Sequence, residues 1–161
     1  IDWVMDSRET EAVWKSVNLT KVNTLGEEIS LNGQWSTVSV QLSYCHLHQD
    51  KDVPDYLQSR YTLEYLRHKI TASLQWHPME HLALTVNYRY QDRTGSYTNT
   101  AGEICHYHPY SVLDARITWD TGHYALYLEG NNLTSKRYVD YGNVPQSGCW
   151  FIAGVKWHLS F

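Results

Sequence analysis

Apolar and polar residues alternate with a period of two through most of this chain. That pattern belongs to strands with one face toward an apolar medium and the other toward water. The clearest runs are Val38, Val40, Leu42 and Tyr44 against Ser39, Gln41 and Ser43, and Ile70, Ala72, Leu74 and Trp76 against Thr71, Ser73 and Gln75. Leu82, Leu84, Val86, Tyr88 and Tyr90 alternate with Thr85, Asn87, Arg89 and Gln91, and Leu113, Ala115, Ile117 and Trp119 with Asp114, Arg116 and Thr118. Near the end, Tyr124 to Gly130 forms one run. In the last, Phe151, Ala153, Val155, Trp157, Leu159 and Phe161 share a face opposite Lys156, His158 and Ser160. Upstream, a long run extends from Val13 to Trp35, with Gly26 as a predicted bulge. Ile1 to Met5 reads as a strand entered partway along. About eight strands are predicted, and no segment carries a helical period.

The connections alternate between long and short. Ser36-Thr37, 77–80 and 120–123 are brief turns, whereas 48–60, 92–110 and 135–148 are long polar loops. Antiparallel membrane barrels have this asymmetry, with short periplasmic turns and long extracellular loops. Leu, Val and Ile occupy mid-strand on the apolar face, and Trp76, Tyr88, Tyr90, Trp119, Tyr124 and Trp157 fall toward strand ends. That layout predicts an aromatic girdle at each interface. A soluble sandwich or lipocalin-like barrel also alternates, but it turns the apolar face inward. The membrane reading therefore requires Leu42, Leu84, Ile117 and Leu159 to look outward and never to converge on a dry centre.

At 161 residues, 42% of them apolar, one domain spanning 1–161 is the default. Mean hydropathy is −0.50, and no apolar run approaches the roughly 18 residues of a membrane helix. That excludes helical spans only, since a transmembrane strand hides half its residues from the average. Thirteen Tyr and seven Trp stand against two Phe, a bias toward side chains with an apolar body and a polar tip. A net charge of −4 gives no footprint for nucleic acid. Ile1 is not an initiator, so the chain is expected to be processed, truncated or one piece of something longer. Three Cys cannot all pair internally.

Asn132-Leu133-Thr134, then Lys136-Arg137-Tyr138, then Gly142-Asn143-Val144-Pro145-Gln146 and Gly148, precede a strand ending in Phe161. This tail resembles the C-terminus of a TonB-dependent outer-membrane receptor. Ile1-Asp2-Trp3, the stretch from Asn18 to Gly26, and Leu113-Asp114 extend the likeness toward the vitamin B12 receptor subgroup. The likeness is strongest over the last thirty or so residues. Where such receptors often carry Gly-Arg before the last strand, this chain has Gly148-Cys149.

The resemblance implies an all-β, antiparallel transmembrane barrel of about 22 strands, of which this chain supplies about eight C-terminal ones. It implies a plug domain and N-terminal strands outside the chain. It also implies an inner-membrane energy-coupling protein acting through the plug, a surface lipoprotein as a further candidate partner, and the outer-membrane lipid of a Gram-negative cell around a multi-pass wall. Trp157, Leu159 and Phe161 would form the signal read by the barrel-assembly machinery. The inward set of short polar residues, Ser39, Gln41, Thr71, Ser73, Asn87 and Thr118 among them, suits the wall of a wide lumen. Asp114 and Arg116 are expected to form a wall ion pair, and Glu129 is a further partner for pairing across strands.

No catalytic arrangement is legible: there is no nucleophile elbow, P-loop or zinc-protease helix, and the chain is read as not an enzyme. One tetrapeptide recurs: Cys45-His46-Leu47-His48 and Cys105-His106-Tyr107-His108. Imidazole and thiolate bind zinc, copper or haem iron, so these residues are candidates for a metal or haem rim. Read more simply, they are interfacial His beside Tyr with Cys in the wall; a Cys45–Cys105 disulfide is a further alternative. Loop tyrosines Tyr56, Tyr97, Tyr107, Tyr110 and Tyr141 are the candidate ligand contacts. They suit a flat, partly apolar ligand, and they equally suit loops packing on one another.

The expected function is energy-coupled uptake of a large scarce nutrient across the outer membrane. Cobalamin comes first, with haem or a ferric siderophore close behind, and no resident cofactor is assigned. The alternatives are a self-contained eight-stranded barrel with a structural or adhesion role, and a soluble binding barrel.

Overall fold

The computed structural model describes residues 2–6, 8, 13–17, 22–51, 57–59, 65–99, 101–140 and 144–158. Among these, twelve antiparallel strands form three sheets. Seven build the main sheet: β3 (Val22–Gln34), β4 (Val38–Lys51), β6 (Leu66–Met79), β7 (Leu82–Arg93), β10 (Tyr110–Asp120), β11 (Tyr124–Asn131) and β12 (Trp150–Trp157). They pair in the order β12-β11-β10-β7-β6-β4-β3, so each long strand lies beside its chain neighbours in an up-and-down meander. Within this group β3 and β12 are the edges. The longer strands, at 11 to 14 residues, reach or exceed the roughly 9–11 that a tilted strand needs to cross a bilayer.

Three elements differ from the sequence expectation. The opening segment β1 (Asp2–Asp6) is not a wall strand. It pairs with β2 (Lys15–Val17) and β5 (Leu57–Ser59) in a separate sheet, leaving seven wall strands among the described residues rather than eight. Arg8 closes the end of β1, and hydrogen bonds from its side chain and backbone hold the pKa of the Asp6 carboxyl at about 2. The predicted bulge at Gly26 is not present, since β3 runs in unbroken register against β4. A Cβ there would stand 2.6 Å from Leu47 Cδ2, so the glycine makes room for a cross-strand side chain. The register shifts lie instead in β6, at Leu66/His68 and at Trp76/Met79, the second carrying Pro78. A bulge is where a sheet tolerates a residue without an N–H. The loop 92–110 is also more ordered than predicted. It holds a hairpin, β8 (Ser96–Thr98) with β9 (Ile104–His106), whose turn is capped by the Asn99 side chain accepting from Ala101 and Glu103 N–H groups.

The short turns fall at one end of the sheet. Trp35 N–H donates to the Val38 carbonyl, and Asp120 Oδ1 accepts from Gly122 N–H, where Gly122 takes a φ of 85°. That left-handed backbone favours glycine. The long connections leave from the other end.

The two faces separate cleanly. On one, the cross-strand rows read Val38, Trp76, Leu84, Ile117, Leu128, Ala153, then Val40, Leu74, Val86, Ala115, Gly130, Phe151. Most of these apolar side chains are open: Leu31 is 63% exposed, Leu42 40%, Ile117 42% and Val155 64%. Leu84 is half-buried, and Leu159 lies outside the described residues. Among the described residues no dry centre gathers them. Trp35, Trp76, Trp119, Tyr124 and Trp157 mark the short-turn end of this face, with Tyr124 stacked on Trp157. Tyr44, His46, His68, Tyr88 and Tyr90 mark the other end. Val38 to Tyr44 spans six residues, about 20 Å along the strand, and the two aromatic belts bracket this apolar band.

On the opposite face the rows are polar: Ser43 Oγ bonds Thr71 Oγ1 at 2.7 Å, and Ser73 Oγ bonds Asn87 Oδ1 at 2.9 Å. In the main sheet and its loops the buried residues Gln91, Tyr110, Val112, Ala125 and Asn132 belong to this side or to the loop beside it. This is the inner face, and its covered part is the long-loop end, since Gln41, Gln75, Asn87 and Arg116 are exposed.

Candidate functional site

The inner ends of β7 and β10 carry the densest cluster of polar and aromatic groups. Period two puts Arg89, Gln91 and Arg93 of β7 on one face, and the register sets Gln91 opposite Tyr110 and Arg89 opposite Val112. Tyr110 donates its phenol hydrogen to Gln91 Oε1. Its ring stacks on Tyr138 at 4.0 Å between centroids and an interplanar angle of 20°. Arg89 donates to the Tyr138 hydroxyl at 3.3 Å, and Arg93 pairs with Asp140 at 3.3 Å. The Arg93 guanidinium also stands 5.9 Å over the Tyr107 ring, which in turn packs on Tyr97 at 5.1 Å. β7, β10, the 96–106 hairpin and the 132–149 loop thus meet in one aromatic and guanidinium corner at the long-loop end of the inner face.

This corner has a donor left over. Arg89 Nε is buried with no hydrogen-bond partner among the described residues. A buried guanidinium hydrogen without an acceptor is unfavourable by about 1–3 kcal/mol or more for a charged group, so the site favours an anionic or carbonyl oxygen.

Asn132 anchors the loop that supplies Tyr138 and Asp140. It adopts a φ of 49° and is 4% exposed. Its Nδ2 donates to the carbonyls of Lys136 and Ser147, both at 2.8 Å, and its Oδ1 accepts from Lys136 N–H at 3.0 Å and Thr134 Oγ1 at 3.3 Å. Its own N–H donates to Asp114 Oδ1 at 2.7 Å, and Leu133 N–H donates to the Leu113 carbonyl. The two dipeptides singled out in the sequence, Leu113-Asp114 and Asn132-Leu133, therefore clasp each other. Asp114 is occupied by this clasp, so of the expected pairings the Asp114–Arg116 one gives way to that with Glu129. Arg116 pairs with Glu129 at 3.6 Å across β10 and β11 and lies 4.1 Å over the Tyr127 ring.

The outer face carries an apolar hollow of about 220 Å³ walled by Leu84, Ile117, Leu128, Leu133 and Phe151. It lies where lipid is expected, not with the polar cluster.

The family described as TonB dependent receptor-like, beta-barrel matches residues 3–133. This chain belongs to that family. Barrels of TonB-dependent receptors are outer-membrane proteins that work with a plug and a TonB-type energy-coupling partner, and they are transporters and receptors rather than enzymes. The match rests on the strands and stops where the tail motif begins. No curated protein matches the chain significantly. Among solved structures it resembles the siderophore receptor PiuA from Acinetobacter baumannii, at 16% identity and a TM-score of 0.64, over 83% of this chain and 21% of that one. It also resembles the ferric-catecholate import receptor Fiu from E. coli K12, at 17% identity and 0.65, over 83% and 20%. The third is the FrpB iron transporter from Neisseria meningitidis, at 17% identity and 0.65, over 95% and 26%. The chain thus spans about a fifth to a quarter of the length of these structures, and the likeness establishes the fold.

In this TonB-dependent receptor segment, Tyr97, Tyr107 and Tyr110 come together in the corner described, whereas Tyr56 and Tyr141 lie outside the described residues. The repeated tetrapeptides are not assembled into one chelate: no group of three or more His, Cys, Asp or Glu suited to a metal occurs among the described residues. Cys45, Cys105 and Cys149 are free thiols. Cys105 accepts from Asn99 Nδ2 at 3.6 Å. His46 stacks on His68 of β6 instead of meeting His106 or His108, and His48 is exposed. Trp157 stands at the end of β12; Leu159 and Phe161 lie outside the described residues.

Arg89, Gln91, Arg93 and Asp140 were not singled out as site residues from sequence, whereas Tyr138 stood among the loop tyrosines and in the tail motif. The available signal was three long polar residues at period two near the long-loop end of β7, in a row otherwise of Ser, Thr and Asn. Of their partners in a loop about fifty residues away, Tyr138 stood in the Lys136-Arg137-Tyr138 motif and Asp140 carried no signal.

Proposed function

We propose that the chain is the C-terminal part of a receptor barrel in a Gram-negative outer membrane, multi-pass, importing a ferric siderophore. The observation that carries this reading is the corner of Arg89, Arg93, Tyr107, Tyr110 and Tyr138 on the inner face. Stacked phenol rings suit a flat aromatic chelate, and guanidinium groups suit the negative charge of such a complex. The three structural neighbours, described as siderophore or iron receptors, support an iron ligand ahead of cobalamin or haem. Closure requires strands beyond these seven, because edge groups on β3 and β12 cannot be left without partners in hydrocarbon. That favours a larger wall completed by N-terminal strands over a self-contained small barrel, with the plug and an inner-membrane protein supplying the energy. Trp157, Leu159 and Phe161 serve as the assembly signal in this reading, and a surface lipoprotein is a candidate partner at the loops.

The test is uptake of radiolabelled ferric catecholate, ferric hydroxamate, haem and cobalamin by cells expressing the full receptor. Wild type is expected to transport a ferric siderophore. Arg89→Ala and Tyr138→Ala are expected to weaken binding about tenfold or more, consistent with loss of a charged hydrogen bond. Transport of cobalamin or haem alone, or variants that bind the siderophore as wild type does, would overturn the assignment.

A further inference from the structure

Charge at the long-loop end of the inner wall is unbalanced, and the excess is positive. Lys69 of β6 shares the parity of Thr71 and Ser73, so it belongs to the inner face, where it is half-buried. The register sets it opposite Gln91 of β7 on one side and Cys45 of β4 on the other, both uncharged. Arg89 and Arg93 flank Gln91 at period two. That makes them the diagonal neighbours of Lys69, about 7–8 Å off and within reach of long side chains. Among the described residues one carboxylate joins these three cations, that of Asp140, and Arg93 engages it at 3.3 Å. Glu28 shares the cross-strand row of Lys69 but lies beyond Cys45, two strand spacings or about 10 Å away. Salt screens most of an attraction over that distance. Asp92 pairs with Arg67, and Asp114 accepts from Asn132 N–H. No ion pair with Lys69 occurs among the described residues.

We propose that Lys69 is a specificity-determining residue of the inner-face site, which with Arg89 and Arg93 selects ferric chelates of net negative charge. This rests on the siderophore reading and narrows it. Three cations against one carboxylate repel one another on a partly desolvated wall, and a polyanionic guest removes that repulsion as it binds. Arg89 Nε, buried without an acceptor, and the Lys69 ammonium, a donor on all its hydrogens, meet the guest's oxygens. Chelate chemistry decides which guests qualify. Fe³⁺ held by three catecholates is trianionic, whereas Fe³⁺ held by three hydroxamates is neutral, though both wrap the metal in oxygen donors. A compact ammonium acts as a point charge rather than a planar fork. Lys69 therefore reads charge, where the tyrosine rings read shape.

The experiment follows quenching of tryptophan fluorescence in the full receptor, in detergent micelles, by a ferric tricatecholate and by a ferric trihydroxamate, at low and high salt. Wild type is expected to bind the tricatecholate more tightly, with an affinity that falls as salt rises. Lys69→Gln is expected to lower that affinity about tenfold, as for loss of one charged donor, and to flatten its salt dependence. Lys69→Arg is expected to retain most of the affinity, because the charge is kept. Any binding of the neutral trihydroxamate should be the same in all three proteins, which a purely structural role for Lys69 would not produce. Heat-dependent migration in gels serves as the folding control and should be unchanged. Wild type that binds neither chelate would remove the siderophore reading and this inference with it. Wild type that binds the trihydroxamate as tightly as the tricatecholate would overturn the charge selection alone. So would a Lys69→Gln variant that matches wild type on the tricatecholate, or that loses both chelates equally.

Discussion

Asn132 shows how much of a large loop can depend on a single side chain. Its amide meets two carbonyls and accepts two donors while the backbone holds a left-handed φ. Asn tolerates that backbone better than other non-glycine residues. Asn132→Ala is expected to destabilise the receptor by about 1–3 kcal/mol, the consequence of stranding buried polar groups. Asn132→Asp should do comparable damage, because it places a carboxylate oxygen against the Lys136 and Ser147 carbonyls. Denaturant unfolding and protease sensitivity of the 132–149 loop would measure both; an Asp variant as stable as wild type would show that the clasp is not held by this amide. Tyr127 over Gly154 is a second case at this scale. A Cβ at Gly154 would stand 2.4 Å from the Tyr127 ring, so the glycine lets the ring lie flat over the neighbouring strand and receive Arg116. Gly154→Val is expected to expel the ring and weaken the Arg116–Tyr127 contact, for a loss of about 1–3 kcal/mol. Tyr127→Ala alongside it should recover part of that loss, measured as non-additivity of the two changes.

At the scale of the strand, face decides everything, since neighbouring residues meet opposite media. Leu74 and Gln75 of β6 are adjacent, yet one stands in the apolar row and the other in the polar row. Leu74→Arg is expected to destabilise the folded barrel by about 2–4 kcal/mol near mid-membrane, whereas Gln75→Arg should change stability little. Unfolding of the full receptor in lipid vesicles is the measurement, and equal effects would contradict the assignment of faces. The faces were legible in the sequence because Leu42, Leu74 and Ile117 alternate with Gln41, Gln75 and Arg116 without a break. Where the sequence reading went astray, the reason was local. Gly26 carries no mark that separates a bulge from a cross-strand cavity for Leu47, and β1 reads as a strand wherever it pairs.

At the scale of the molecule, seven strands with edges at β3 and β12 are a section of a wall. Chain 1–161 expressed alone is therefore expected not to yield a heat-modifiable, protease-resistant monomer in outer membranes, because lipid offers no partner for edge N–H and C=O groups. A stable inserted monomer of this length, seen by heat-dependent migration in gels, would favour the self-contained barrel. The corner of Arg89, Arg93, Tyr110 and Tyr138 also belongs to this scale. Its members come from β7, β10 and a loop some fifty residues from β7, and only the meander brings them together.

The sequence by itself determined the strands, their two faces, the alternation of short and long connections, and hence a membrane barrel, while the tail motif carried the resemblance to TonB-dependent receptors. These properties are periodic and local, so they survive without any knowledge of partners. Tertiary structure decided which strands pair, that β1 leaves the wall, that Asp114 clasps Asn132 rather than Arg116, and that His46 faces His68. Each of those depends on register between distant segments, and register is fixed by the whole sheet closing on its hydrogen bonds and side-chain rows.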